Sequence, residues 1–341
     1  MMKDLVGKHY KLKPKHLVAV GVTQNGERTY FGMSSDGELR DVGHLVFEVG
    51  SVTKVFTTIL FMHFVRLGKV GLHDKLNTYI PKMIDSDITL YQLATHTSGL
   101  PRDANNMKLK WKNRHNPFKE FQLEDAYSFM ENYKSKKKGI AHKPRYSNIG
   151  MAMLGNVLAS VEELSYEDSL KKYIFEPLQM NDTFITFDQN KTIQEVKAPI
   201  NLKDYYPRLE LYGDAPAGAI KSTIQDMLRF LEANMGLFEH PLYEDMMLSH
   251  QNQNLAPLNK DVMMGIGWMI SLYGTKKKEI ITHGGTTLGF KTHIGFSKEH
   301  KIGVVVFDNI HIGFLSLIRM LIKREYTKVE SLAEMVYDKH L

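Results

Sequence analysis

Ser51 and Lys54 form a pair whose residue types and spacing could do chemistry. Three residues span nearly one helical turn, so on a helix the hydroxyl and the ammonium lie on one face within hydrogen-bonding reach. A helix N-terminus disfavours a cation, and burial in the mostly apolar stretch that follows, Val52 to Leu67, disfavours it further. A neutral lysine beside a serine activates the hydroxyl as a nucleophile. The competing interpretation is a serine that caps a helix beside a solvated lysine.

The same Ser-x-x-Lys spacing occurs twice more, at Ser135 to Lys138 and at Ser169 to Lys172. The first lies in a run of charges and the second in an amphipathic helical pattern, so both lysines are predicted to be solvated. Lys54 is followed by a mostly apolar helix that could remove it from water. The candidate nucleophile is therefore Ser51.

Tyr146-Ser147-Asn148 is the second motif, directly before a helical pattern over residues 149–161. Among the 16 tyrosines of the chain, Tyr146 alone has an asparagine two residues later. At the start of a helix, a phenol and a carboxamide could both project into a cleft. The competing interpretation is a buried tyrosine followed by polar residues that cap the helix.

His283-Gly284-Gly285-Thr286 is the third motif and directly follows a predicted strand, residues 279–282. Two glycines let a substrate approach the backbone closely, and an edge strand there could pair with a peptide. The pattern His-x-Gly also occurs at His293 and His311, which are predicted to be structural. The double glycine is found only after His283.

The strands that would position these motifs are predicted near both chain ends. Residues 16–32 indicate a β-hairpin, because an Asn-Gly pair between two apolar runs is the strongest short turn signal. After residue 263 four short strands are predicted, and the middle of the chain is helical and rich in loops. This order predicts an α/β fold: a mixed, mainly antiparallel sheet built from both chain ends and flanked by helices, with a mostly helical domain inserted. The expected parts are residues 1–75 and 206–341 for the α/β domain and residues 76–205 for the helical domain.

Helices are predicted where apolar residues recur at helical spacing or where a capping signal stands. The segments are residues 52–67, 87–96, 123–133 and 149–161, a helix opened by Ser165, one capped by Ser222 and reaching Asn234, and residues 314–323 and 329–337.

Composition excludes several classes of protein. The 341 residues are 43% hydrophobic and 24% charged, which is ordinary for a globular protein and excludes disorder and coiled coils. Cysteine is absent, which excludes disulfide scaffolds, thiolate metal sites and a cysteine nucleophile.

The longest apolar stretch, residues 55–65, is well short of the ~20 residues of a transmembrane helix. No signal-peptide pattern follows Met1, so we expect a cytoplasmic protein as the chain stands and an extracytoplasmic one if a leader was removed.

Positive charge is concentrated in one region. Of a net charge of +6, residues 101–145 carry 12 Lys and Arg against 5 Asp and Glu, with Trp111 among the cations. The first interpretation is solvated loops and helix faces, and the second is a surface for an anionic partner. Nucleic acid is not expected, because no nucleic-acid-binding motif accompanies the charge.

Taken in this order, the three motifs resemble those of the serine β-lactamase and penicillin-binding protein superfamily. The nearest likeness is to its class C-like branch of β-lactamases, D-amino-acid-processing peptidases and esterases. Tyr146-Ser147-Asn148 stands where Tyr-x-Asn belongs, and His283-Gly284-Gly285 where Lys-Thr-Gly belongs. Leu93 to Leu100 and Ala215 to Gly218 are also similar, so the likeness extends over residues 18–309.

The resemblance implies an acyl-enzyme mechanism. Ser51 would attack a carbonyl carbon, and Lys54 and Tyr146 would share the role of general base. Which of the two accepts the proton stays open, because their titrations would be coupled. No metal or cofactor is implied.

The resemblance also implies how the substrate is bound. The backbone amides of Ser51 and Thr286 would form the oxyanion hole, with Gly285 beside them. Asn148 would hold the acyl side chain or Lys54. His283 would orient the tyrosine or meet a substrate carboxylate.

His283 stands where the family has lysine, which removes a permanent positive charge. The predicted function is therefore hydrolysis of a small ester, amide or D-amino-acid peptide, with β-lactams as possible substrates or inhibitors. One alternative is a non-catalytic penicillin-binding or sensor protein that keeps the pocket. Another is a nucleic-acid or wall-polymer binder that uses the basic region.

The segment His96 to Gly99 is predicted to be a structural turn, since its His and Ser are too close in sequence to face each other.

Overall fold

The computed structural model describes residues 2–82, 87–107, 116, 118–133, 143–190, 192–274, 277–310 and 327–341. Four sequence predictions lie outside these residues. They are the cationic segment around Trp111, the lysine run that includes the Ser135 to Lys138 pair, the structural role of His311, and the helical pattern at residues 314–323.

The strands of the described part form two sheets. In chain order they are β1 (Leu17–Gln24), β2 (Glu27–Ser34), β3 (Leu39–Arg40), β4 (Val46–Glu48), β5 (Lys221–Thr223), β6 (Val262–Met264), β7 (Met269–Tyr273), β8 (Lys278–Thr286), β9 (Lys291–Ser297) and β10 (Ile302–Asp308). The larger sheet has the order β3-β2-β1-β10-β9-β8-β7-β6, and β4 pairs with β5 in the smaller one. The named strand pairs are antiparallel. In the centre of the large sheet β1 pairs with β10, so the sheet is built from both chain ends, as the sequence predicted.

The helices flank this sheet. In chain order they are α1 (Met2–His9), α2 (Thr53–Arg66), α3 (Leu76–Tyr79), α4 (Leu90–Ala94), α5 (Leu123–Asn132), α6 (Asn148–Val161), α7 (Tyr166–Leu170), α8 (Glu176–Leu178), α9 (Ala215–Gly218), α10 (Ile224–Asn234), α11 (Tyr243–Ser249) and α12 (Lys328–His340). A short 3₁₀ turn, Gly50–Val52, leads into α2, and a wider helical turn, Lys171–Phe175, joins α7 to α8. The predicted α/β class, with a mainly antiparallel sheet flanked by helices, is confirmed.

One predicted cap is wrong by a residue. Thr223, not Ser222, caps α10, and its side chain accepts a hydrogen bond from the Asp226 amide at 3.2 Å. Ser222 is still in the extended backbone of β5, where it pairs with Phe47. Two adjacent hydroxyl residues carry the same capping signal, and strand pairing decides which of them ends the extended segment.

The strand β1 shows how the two faces of the sheet are used. Val18, Val20 and Val22 belong to the hydrophobic cluster that also contains residues of α1 and α12. Between them, Gly21 faces α10, and a Cβ on it would lie 2.8 Å from the side chain of Ile224. Successive side chains of a strand point to opposite faces, so β1 packs against helices on both sides.

The helix α2 is the centre of the main hydrophobic cluster. All residues from Thr53 to Phe64 are buried, as the apolar pattern predicted. The cluster joins residues of the three predicted chain parts, for example Phe56, Leu154 and Phe230, and the rings of Phe56 and Phe230 stack with centroids 4.1 Å apart. The domain boundaries at residues 75/76 and 205/206 stay a prediction. In the part of the chain that is described, no helix is both long enough and apolar enough to cross a membrane.

Candidate active site

The turn that carries Ser51 packs directly against β8. Gly50 has φ +54°, and a Cβ on it would lie 2.9 Å from the amide nitrogen of Thr286. Opposite, a Cβ on Gly285 would lie 2.0 Å from the carbonyl oxygen of Val49. Only glycines allow this approach of two backbone segments. They bring together Ser51, Gly285 and Thr286, which are far apart in the sequence.

Lys54 is fully buried, with 0% of its surface exposed, on the first turn of α2. Its Nζ donates to Ser51 Oγ at 3.2 Å and to the carbonyl oxygen of Ala217 at 2.5 Å. Burial lowers the pKa of Lys54, and the interaction with Tyr146 opposes that shift. The lysine therefore lies within hydrogen-bonding distance of Ser51 in surroundings that favour its neutral form.

The ring of Tyr146 lies among nitrogen-bearing side chains. Lys54 Nζ is 4.8 Å from its centroid and Arg102 Cζ is 5.1 Å from it. The imidazole of His96 packs on it with centroids 4.7 Å apart and planes tilted by 36°. These contacts hold the ring between the turn after α4 and the start of α6, in the wall of the cavity that Ser51 also lines.

His96 is a site residue that the sequence analysis took only for part of a turn. The segment is a turn, with positive φ at His96 (+59°) and Gly99 (+75°). The Ser147 amide donates to His96 Nδ1 at 3.3 Å, which places the proton of a neutral imidazole on Nε2. Burial, followed by the charges of Lys54 and other neighbours, lowers the pKa of His96 to about 3. The signal that could have found it was the family likeness of the stretch from Leu93 to Leu100.

Asn148 is the first residue of α6, and its side chain is held by a neighbouring carboxylate. Its Nδ2 donates to Asp103 Oδ1 at 2.7 Å, and its backbone amide donates to the carbonyl oxygen of Arg102 at 2.7 Å. Lys54 Nζ donates to Ser51 and to Ala217, and both expected roles of Asn148, holding the acyl side chain or Lys54, stay predictions. Asp103 was not anticipated from the sequence.

His283 lies inside β8 and not after it, because β8 extends from Lys278 to Thr286. Pairing with β7 ends at Thr282, whereas pairing with β9 continues to Thr286. The four residues 283–286 are therefore at a local edge of the sheet, as the sequence suggested. His283 is 2% exposed, and its Nδ1 donates to the carbonyl oxygen of Gly284 at 2.8 Å, so this nitrogen carries a proton.

These residues surround a cavity of about 450 Å³, a size that suits a small ligand. Six of the seven predicted site residues line it, namely Ser51, Tyr146, Asn148, His283, Gly285 and Thr286. Lys54 lies behind Ser51 and completes the set.

Three further charged residues line the cavity, Arg102, Asp214 and Glu330, and none of them was predicted. Asp214 is 6% exposed and directly precedes α9. Burial, followed by the like charge of Asp103, raises the pKa of Asp214 to about 7. The sequence gives no periodic signal around this residue, which lies in a long irregular stretch.

The arrangement can supply a hydroxyl nucleophile and a proton acceptor in one place, which hydrolysis of an ester or amide requires. Across the described residues, no group of three His, Asp or Glu side chains is arranged to hold a metal ion.

Comparison with known proteins agrees with this geometry. Residues 16–313 match the profile of the family described as Beta-lactamase. A β-lactamase of Yersinia enterocolitica is 26% identical over 86% of this chain and 81% of its own. The D-alanyl-D-alanine-carboxypeptidase/endopeptidase AmpH of Escherichia coli K12 is 24% identical over 85% of this chain and 77% of its own.

Among solved structures, a class C β-lactamase from Rhodobacter sphaeroides shares the fold, with a TM-score of 0.76 at 19% identity. The alignment covers 98% of this chain and 96% of that chain. The family resemblance predicted from the three motifs is confirmed. The chain therefore belongs to the β-lactamase family and is a serine hydrolase.

Proposed function

We propose that the protein hydrolyses a small ester, amide or D-amino-acid-containing peptide through an acyl-enzyme on Ser51. The observation that carries the proposal is the 3.2 Å contact between Ser51 Oγ and the Nζ of a fully buried lysine, Lys54. A lysine whose pKa is lowered by burial accepts a proton more readily than a solvated one. General-base help of this kind contributes about 10²–10⁴-fold to a rate.

In the acylation step Ser51 Oγ forms a bond to the carbonyl carbon while its proton passes to Lys54 or Tyr146. The bond between that carbon and the leaving oxygen or nitrogen then breaks. The leaving group takes a proton from the Tyr146 hydroxyl, and the proton given up by Ser51 replaces it there, so charge and protons balance. In the second step a water molecule attacks the acyl carbon and gives a proton to the same pair of residues. The bond between that carbon and Ser51 Oγ breaks, Ser51 Oγ takes the proton back, and the acid is released.

The developing oxyanion would accept hydrogen bonds from the backbone amides of Ser51 and Thr286. Support comes from the two glycines, Gly50 and Gly285, that let these backbone segments approach. One donor of an oxyanion hole contributes about 3 kcal/mol to transition-state binding.

Substrate class is inferred from the cavity and from relatives. A volume of about 450 Å³ suits a small acyl group better than a polymer. The two relatives named above are a β-lactamase and a D-alanyl-D-alanine carboxypeptidase/endopeptidase, so β-lactams and D-amino-acid peptides are natural probes. His283 in place of lysine removes a permanent charge for a substrate carboxylate and favours esters and neutral amides.

The test is intact-mass measurement after exposure to a fluorophosphonate, to a penicillin and to a panel of 4-nitrophenyl esters. We expect one adduct per chain, located on Ser51, and release of 4-nitrophenol in more than one turnover. Ser51→Ala should give neither. An adduct that forms on the wild type without turnover of any ester would favour the alternative of a sensor, and an adduct that persists in Ser51→Ala would overturn the assignment of the nucleophile.

A further inference from the structure

We infer that Asp214 is a specificity-determining residue that binds a protonated amine of the substrate in the cavity beside Ser51. The inference rests on the proposed function, because it names a substrate class for the same site. It concerns one carboxyl group that the acyl-transfer chemistry itself does not use.

The backbone around Asp214 is fixed in the cavity wall. Its carbonyl oxygen accepts from the Ala217 amide at 2.9 Å, and the preceding Gly213 amide donates to the carbonyl oxygen of Phe121 at 3.0 Å. Ala217 in turn accepts from Lys54 Nζ at 2.5 Å. The carboxyl group is therefore held in the same short segment that positions the lysine beside the nucleophile.

The carboxyl group of Asp214 is buried and incompletely satisfied. Among the described residues, its Oδ1 has no hydrogen-bond partner. The neighbouring acid is different, because Asp103 accepts from Asn148 Nδ2 at 2.7 Å and lies 3.8 Å from Arg102 Nε. Buried carboxylates are nearly always paired or hydrogen-bonded. In the part of the chain that the structure describes, Asp214 has no ion-pair partner within 4 Å and it lines the cavity, which points to a cation that the ligand brings.

The surrounding charges favour a cationic donor over a neutral one. Asp103 is close enough to Asp214 to raise its pKa, whereas Lys54 and the backbone amide of Asp214 act in the opposite direction. Arg102, which also lines the cavity, lies over the ring of Tyr146 and beside Asp103. A substrate ammonium in the cavity would give the Asp214 carboxylate an opposite charge, and charge-assisted hydrogen bonds are about twice as strong as neutral ones.

The experiment uses two acyl groups of nearly equal shape. The 4-nitrophenyl esters of β-alanine and of butanoic acid differ in a terminal ammonium against a methyl group. With spontaneous hydrolysis subtracted, kcat/KM of the wild type at pH 8 is expected to be at least tenfold higher for the β-alanyl ester. Asp214→Asn keeps the size of the side chain, removes its charge, and should lower this ratio at least tenfold. Asp214→Ser is a second variant in case the first does not fold.

Asp103→Asn is the matched control. It removes the same charge from the same neighbourhood, but from a carboxylate that already has partners, so it should change the ratio less than threefold. Changes in the base strength of Lys54 affect both esters alike and cancel in the ratio.

The outcomes separate the two proposals. Hydrolysis of the butanoyl ester through Ser51, with a wild-type ratio near one, overturns the role of Asp214 and leaves the proposed function standing. An equal loss of ratio in Asp103→Asn and Asp214→Asn also overturns it, because it would indicate a general effect of charge. Absence of any acylation on Ser51 overturns the proposed function first. A neutral amide donor bound at Asp214 would leave the ratio near one, and so counts against the inference.

Discussion

The rings of His96 and Tyr146 pack against each other with centroids 4.7 Å apart. This contact joins the turn after α4 to the residues directly before α6. The Ser147 amide completes the contact by donating to His96 Nδ1 at 3.3 Å. Because burial lowers the pKa of His96 to about 3, this imidazole stays neutral at ordinary pH. A neutral imidazole adds no positive charge beside Lys54 and Arg102, which contact the same tyrosine ring. His96 is thus a positioning residue for Tyr146.

His96→Asn tests this role, since asparagine tolerates the positive φ at this position. We expect kcat to fall about 10–100-fold with little change in KM, because a tyrosine displaced by about 1 Å loses proton transfer but not substrate contacts. His293→Asn is the control, because His293 is also buried, with its pKa lowered to about 3 by burial, but does not line the cavity. An equal loss of kcat in both variants would indicate general destabilisation.

Lys54→Ala should lower kcat by more than about 10²-fold, because it removes the proton acceptor next to Ser51. The chain offers a matched control in Lys172, which follows Ser169 at the same spacing, is exposed and pairs with Glu162. Lys172→Ala should keep full activity. Steady-state hydrolysis of a 4-nitrophenyl ester measures both. Near-normal turnover by Lys54→Ala would show that the spacing has no catalytic meaning here.

The two glycines of the His283 motif should respond differently to alanine. A Cβ on Gly285 would lie 2.0 Å from a backbone oxygen, whereas a Cβ on Gly284 would meet no atom closer than 3.6 Å. We expect Gly285→Ala to lose about 1–3 kcal/mol of unfolding free energy and most of its acylation by a fluorophosphonate. Gly284→Ala should lose little stability. Equal stability of the two variants in urea denaturation would contradict the close approach of β8 to the Ser51 turn.

How much the sequence could predict depended on whether a signal was local. The Ser51 to Lys54 spacing, the Asn-Gly hairpin and the apolar run of α2 are short-range patterns, and the structure has each of them where it was predicted. The packing of His96 on Tyr146 joins residues 50 positions apart. Asp214 lies in a stretch without periodicity, and its burial depends on α9 and on Asp103. Such contacts are tertiary, so no window of the sequence contains them.

The preference for a cationic acyl group should depend on pH through Asp214. Its pKa of about 7 means that the carboxyl group is mostly neutral at pH 6 and mostly charged at pH 8. The ratio of kcat/KM for the β-alanyl ester over the butanoyl ester should therefore rise over this range in the wild type. In Asp214→Asn this rise should disappear. A slope that remains would come from the other charged or titratable groups that line the cavity, His283, Arg102 and Glu330, or from Lys54 and Asp103 behind its wall. A wild-type ratio independent of pH would contradict the prediction.

Asp214 should also reduce the stability of the folded protein at high pH. Its pKa in the folded chain, about 7, lies above its ordinary value of 3.8, so the folded state binds more protons between these values and stability falls as the pH rises through them. Asp214→Asn removes that loss and should gain about 1–3 kcal/mol of unfolding free energy at pH 8 and little at pH 4. Asp245 gives the opposite case, since hydrogen bonds from His63 and Arg66 outweigh burial and lower its pKa. Asp245→Asn should therefore lose stability at pH 8. Urea denaturation at the two pH values measures both variants, and an Asp214→Asn protein less stable than the wild type at pH 8 would show that the carboxylate already has a partner in the folded chain.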